Sequence, residues 1–217
     1  MKLKTIICIG ILLVTTISIT GCIQHKGKTE QKTEINHTDE QVNNNETPNE
    51  EENNETISYT KEEIWTNFCT SDKIRNNCRE LTGKEINLEN INFLSGNTID
   101  LSNKNRYIIE IMAVDCYHCN KSMPHIIEYD NSEKDIPIYT CTFADDPITI
   151  KEWMDKNDFV FDMGMAEYDF VKYDLGIKYT PCFLFVENKI IKLAYIGEIK
   201  DVGFIKTLIR TAYKEQL

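Results

Sequence analysis

The sequence predicts an α/β fold in which a mixed central β-sheet is covered by helices on both faces. Two observations carry this. From residue 86 to the C-terminus, strand-like and helix-like segments alternate and end in a hairpin plus one helix, an order that builds a sheet with parallel and antiparallel pairs. The run Tyr107-Ile108-Ile109-Glu110-Ile111-Met112-Ala113-Val114 is apolar at odd and even positions alike. Such a run is a strand buried on both faces.

Before the domain come residues of a different kind. Lys2 and Lys4 precede an uncharged stretch, Thr5 to Gln24, that contains Ile19-Thr20-Gly21-Cys22. A short basic start, an apolar core and small residues at the break predict a secretory signal over residues 1–21. The last four residues resemble a bacterial-type lipobox, which implies lipidation of Cys22 as the first residue of the mature chain. An uncleaved transmembrane anchor is the alternative, because about 20 uncharged residues can span a bilayer, with the two lysines inside. Both place the domain outside the cytoplasm, anchored to the outer face of the cytoplasmic membrane. Residues 22–56 are rich in Asn, Glu, Thr and Lys and cannot bury enough surface to offset ordering, so they predict a disordered acidic tether. The formal net charge of −11 makes nucleic acid an unsuitable partner.

Residues 57–85 predict a helical extension, Lys61 to Leu81, interrupted near Cys69-Thr70-Ser71-Asp72. On one straight helix Cys69 and Cys78 would be separated by about 13 Å of rise. A turn at Thr70-Ser71, where either residue can cap a new helix, brings them within reach of a structural disulfide. Two buried free thiols and a resolving pair for the active site are the alternatives.

In residues 86–217, Ile91 to Leu101 predicts two short strands around Ser95-Gly96-Asn97. The central strand follows, and then a helix from Tyr117 to Tyr129, kinked by Pro124. Ile136 to Phe143 reads as a strand. Asp146 caps a helix that runs through Lys156, with Pro147 in its first turn. Phe159-Val160-Phe161 reads as a strand, and Ala166 to Leu175 as a helix stopped by Gly176. Cys182 to Val186 and Ile190 to Ile196 form the hairpin, and Val202 to Tyr213 the closing helix, with Val202, Ile205, Leu208, Ile209 and Ala212 on one face.

Directly after the central strand stands Cys116-Tyr117-His118-Cys119. Two cysteines at this spacing, at a strand-to-helix junction, close into a disulfide and reopen with little backbone movement. Paired cysteines also bind metal, but a structural zinc site wants a second pair and no second Cys-x-x-Cys occurs. Asn120 stands where a haem-attachment motif needs His. No cofactor is called for. Of the eight cysteines, Cys141 and Cys182 fall on separate predicted strands and read as buried inert thiols.

The domain resembles the thioredoxin superfamily, and specifically its membrane-tethered TlpA/ResA-like thiol-disulfide oxidoreductases. Carrying the resemblance are the Cys-Tyr-His-Cys motif at the strand end, Pro124 five residues later, Thr180-Pro181 before the hairpin and Glu110 six residues before Cys116. The resemblance spans residues 86–217 and implies a three-layer thioredoxin-like fold with an N-terminal β-hairpin and an inserted αβ element. Cys116 is then the attacking nucleophile, Cys119 the resolving thiol, Glu110 their general acid/base, and Thr180-Pro181 a cis-proline turn that presents a backbone edge to substrate. Tyr117 and His118 shape the site. His118 would stabilise a Cys116 thiolate, as in the oxidase-type members of the superfamily, while Asp115 would oppose it.

The resulting expectation is an exported, membrane-anchored enzyme that reduces disulfides in exported proteins with electrons from a membrane partner. A disulfide-forming oxidase and a soft-metal module holding Cu(I) through Cys116, Cys119 and His118 are the alternatives.

Overall fold

Strand β2 (Arg106–Met112) is buried from Tyr107 onward and forms the middle of a six-stranded sheet of order β1-β4-β3-β2-β5-β6. It pairs in parallel with β3 (Ile138–Thr142) and antiparallel with β5 (Cys182–Glu187). β4 (Gly164–Ala166) runs parallel to β3, β1 (Ile91–Phe93) antiparallel to β4, and β6 (Ile190–Ile196) antiparallel to β5. The computed structural model describes residues 58–96, 105–132, 136–159 and 162–214. The predicted signal over 1–21, Cys22, the 22–56 tether and the second strand of the N-terminal hairpin lie outside these residues. Among the described residues no helix is long and apolar enough to cross a membrane.

Helices cover both faces of the sheet. α3 (Tyr117–Ser132) continues from the Cys116 junction and carries Pro124 inside it. α4 (Pro147–Lys156) starts where Asp146 accepts hydrogen bonds from Ile148 and Thr149 N–H, satisfying first-turn amides that have no helical partner. Trp153 of α4 donates to Asn120 of α3 at 2.9 Å. α5 (Val202–Tyr213), capped by Asp201, packs on α3, and its Tyr213 hydroxyl lies 3.0 Å from Tyr107 O and 3.1 Å from Val186 O.

The N-terminal helices belong to the same core. α1 (Lys61–Phe68) begins with a Thr60–Glu63 capping box and α2 (Asp72–Leu81) is capped by Ser71. Trp65 donates to Ala194 O at 2.8 Å, Thr82 accepts from Ala194 N–H at 3.0 Å, and Ile64, Cys78 and Leu81 are fully buried against the sheet.

Of the strand predicted at Phe159 to Phe161, Val160 and Phe161 lie outside the described residues; Phe159 is not in a strand, and a strand stands at Gly164–Ala166. After α4 the chain turns through Asp158 at φ 50°, and Phe159 folds back, its N–H donating to Met154 O and its ring packing on Trp153. Gly164 lets β4 approach the sheet, because a Cβ there would meet Cys141 Sγ at 2.7 Å and Ile91 Cγ2 at 2.9 Å. The helix predicted from Ala166 is shorter, because Ala166 is the last residue of β4. The segment Phe170–Leu175 is wound as a π-helix and ends at Gly176, in the left-handed conformation.

Candidate active site

Beyond Met112 the chain leaves the sheet through a turn that several side chains hold. Val114 N–H donates to Asp145 Oδ2 at 3.1 Å, Asn120 Nδ2 donates to Val114 O at 3.1 Å, and Cys116 N–H donates to Ala113 O at 3.0 Å. Cys116 therefore sits just ahead of α3, where first-turn amides lack helical partners. One of them, Cys119 N–H, donates to Cys116 Sγ at 3.2 Å. Cys116 and Cys119 form a disulfide with their Cα atoms 5.2 Å apart. Cys119 is fully buried and Cys116 only half-buried, so Cys116 is the sulfur that an incoming sulfur can reach. The amide and the helix dipole would both favour a thiolate there.

The Thr180–Pro181 bond is cis and stands beside the dithiol, with Thr180 Oγ1 3.5 Å from Cys116 Sγ. Gly197 N–H donates to Pro181 O at 3.1 Å, fixing this turn to the end of β6. Gly197 has φ 154°, and a Cβ on it would meet Tyr195 Oη at 2.7 Å. From the other side α2 braces the turn. Asn77, 1% exposed, donates to Gly176 O at 2.9 Å and accepts from Lys178 N–H at 3.0 Å, and Lys178 Nζ reaches Glu80 at 2.8 Å.

His118 and Tyr117 point outward. His118 Nδ1 lies 2.8 Å from Glu198 Oε2, in the loop after β6. Tyr117, 64% exposed, meets the His118 ring edge-on and carries Lys121 Nζ 4.6 Å above its own ring. Glu198 is held below the usual carboxylate range, chiefly by its hydrogen bond with His118. Asp115 is exposed.

Glu110 is completely buried in β2. Burial pushes its carboxyl up to about 8, against the opposing effect of Thr140 Oγ1, which donates to Glu110 Oε2 at 3.0 Å. A solvent-facing role is therefore ruled out, and the carboxyl is protonated over most of the physiological range. That hydrogen bond goes to Thr140 rather than to either active-site sulfur. In register, Ile111 pairs with Cys141 on one side and Cys182 on the other, so a full strand separates those two free, fully buried thiols. Burial raises both thiols far above their ordinary range.

No protein-family model and no curated protein matches the chain. Among solved structures, a thiol-disulfide isomerase from Corynebacterium glutamicum superposes with a TM-score of 0.50 at 12% identity, covering 62% of this chain and 98% of that one. The fold is thioredoxin-like. The thioredoxin domain of a thiol-disulfide oxidoreductase from Bacteroides vulgatus covers 59% of this chain and 97% of its own at 16% identity and TM-score 0.47. A thiol:disulfide interchange protein of the thioredoxin family from Chlorobium tepidum covers 56% and 90% at 13% identity and TM-score 0.48. These two are similar to the chain at a level that adds no argument.

Within this thioredoxin-like frame, the structure brings Cys116, Cys119, Thr180 and Pro181 together and sets Tyr117 and His118 at the rim. The predicted Cys69–Cys78 disulfide is corrected. The turn at Thr70-Ser71 does bring the sulfurs together, but they are free, buried thiols 3.9 Å apart, against about 2.05 Å for a bond. A metal site gains no support from the geometry: His118 Nδ1 is engaged by Glu198, and among the described residues no three His, Cys, Asp or Glu side chains converge to hold an ion. Sequence reasoning missed Asn77 and Glu198, which lie far along the chain from the groups they hold, and Asn120 as a brace. No local pattern marks the first two. Asn120 directly follows the motif, where its residue type says only that a haem-attachment histidine is missing.

Proposed function

We propose that the chain is a thiol-disulfide oxidoreductase that exchanges disulfides with protein substrates through Cys116 and Cys119, working as a reductase. The observation that carries this reading is the asymmetric pair at the start of α3, with Cys116 reachable beside Thr180-Pro181 and Cys119 buried behind it. In the reduced enzyme the Cys116 thiolate attacks a substrate disulfide, forming a mixed disulfide and releasing one substrate thiolate. Cys119, as thiolate, then attacks the Cys116 sulfur and releases the second. The ionised fraction of Glu110, whose carboxyl burial lifts to about 8, takes the Cys119 proton as general base in this step and returns it as general acid in the reverse one.

Charge around the pair favours the reductase direction over the oxidase. A cation beside Cys116 would stabilise the reduced form and make the disulfide a stronger oxidant. Here Glu198 offsets the charge His118 could supply, and Asp115 adds a negative charge next to Cys116. The substrates are disulfide-bearing exported proteins and the electrons come from a membrane electron-transfer partner. Lipid on Cys22 holds the domain at the outer face of the cytoplasmic membrane. The test is insulin reduction by the metal-free protein with dithiothreitol as electron source. The expected result is faster precipitation than with dithiothreitol alone, abolished in Cys116→Ser. An unaccelerated reaction would contradict the reading.

A further inference from the structure

Cys69 and Cys78 stand apart from the other free cysteines. Cys69 caps the C-terminus of α1 next to the exposed turn Thr70-Ser71, and Cys78 lies within α2, fully buried. Their sulfurs touch at 3.9 Å, whereas Cys141 and Cys182 are kept apart from each other by strand β2. The two thiols also differ in acidity. Cys69 is lowered, first by its hydrogen bond with Cys78 and, against the opposing effect of burial, by Ile196 N–H and the guanidinium groups of Arg75 and Arg79. Cys78 is raised far above its ordinary range, by that same hydrogen bond and by burial. Cys69, 6% exposed beside an exposed turn, lies nearer to solvent than the fully buried Cys78, and two sulfurs in contact, one of them nearer the surface, are placed for disulfide exchange.

We propose that Cys69 and Cys78 form a second, reversibly oxidised dithiol that exchanges with low-molecular-weight disulfides of the glutathione class. The Cys69 thiolate attacks one sulfur of the small disulfide, making a Cys69 mixed disulfide and expelling one small thiolate. Cys78 then loses its proton to water and attacks the Cys69 sulfur, closing the Cys69–Cys78 bond and expelling the second thiolate. The protein loses two electrons and two protons, and one small disulfide becomes two thiols. Asn77, the residue before Cys78, holds the backbone of Gly176 and Lys178, so the state of this pair bears on the turn carrying Thr180 and Pro181.

The test uses the full chain equilibrated across ratios of oxidised to reduced glutathione, then acid-quenched, alkylated and digested with trypsin. Cleavage after Lys73 and Arg75 separates the two cysteines unless a disulfide joins them. The expected result is a linked peptide pair that appears as the ratio rises and disappears when it is reversed, while Cys141 and Cys182 stay alkylated as thiols. The same titration in the Cys116→Ser/Cys119→Ser double variant is expected to be unchanged, so it stands or falls separately from the insulin assay. Cys78→Ser is expected to accumulate glutathione on Cys69, and Cys69→Ser to leave Cys78 unmodified. Single alkylated thiols at every ratio in the wild-type chain would overturn the proposal, as would glutathione landing on Cys78 as readily as on Cys69.

Discussion

At 2.8 Å from His118 Nδ1, the Glu198 carboxylate cancels much of the positive charge that a histidine inside the motif could lend to a Cys116 thiolate. Glu198→Gln is therefore expected to raise the reduction potential of the Cys116/Cys119 pair by roughly 10–30 mV, about two- to tenfold in the equilibrium with glutathione. Because the site is exposed to solvent, the shift should shrink as salt is added. Glu110 gives a second prediction. Its folded pKa of about 8 lies above the ordinary 4.5, so its contribution to stability is full below about pH 4.5 and is lost as the pH rises through about 8. In urea titrations from pH 5 to 9, Glu110→Gln should gain stability on the wild type as pH rises, by a few kcal/mol at most. A constant difference between the two proteins would count against a buried, protonated carboxyl. Glu110 was legible in the sequence because it is the one charge in the apolar run from Tyr107 to Val114. Glu198 was not, because it sits in an ordinary polar loop 80 residues from His118 and only the folded sheet brings the two together.

At the level of elements, α2 is the brace of the cis-proline turn. Asn77→Ala removes a buried amide and strands two backbone groups, at an expected cost of about 1–3 kcal/mol per unsatisfied group, read as a lower urea midpoint. Slower insulin reduction with both active-site cysteines intact should accompany it. Gly164→Ala would press a Cβ against Cys141 and Ile91, and overpacking of this kind costs about 1–3 kcal/mol, again measured by urea unfolding. Elements with strong local signals were legible: α4 through Asp146 and Pro147, α5 through its apolar stripe, and the β5–β6 hairpin through its turn at Asn188 and Lys189, both at positive φ. β4 was not, because Gly164-Met165-Ala166 has no β-branched residue and is a strand only through the neighbours it joins.

On the scale of the molecule, topology makes the site. β2, β3 and β4 run parallel and β5 opposes β2, so the C-terminal ends of the first three and the N-terminal end of β5 share one edge of the sheet. That edge carries the dithiol and Thr180-Pro181, and the exposed Tyr117, Ile148, Tyr168, Tyr173 and Tyr179 lie on the connections leaving or reaching it. The central strand buried on both faces made this architecture readable, whereas the packing of α1 and α2 into the same core depends on contacts such as Trp65 with Ala194, which spacing alone does not encode. The most direct measurement of disulfide exchange at this edge is mass spectrometry of species trapped by Cys119→Ser after exposure to disulfide-bonded protein. The predicted result is a set of mixed disulfides, every one through Cys116, absent from the Cys116→Ser control. Trapping of nothing, or of species joined through any other cysteine, would contradict it.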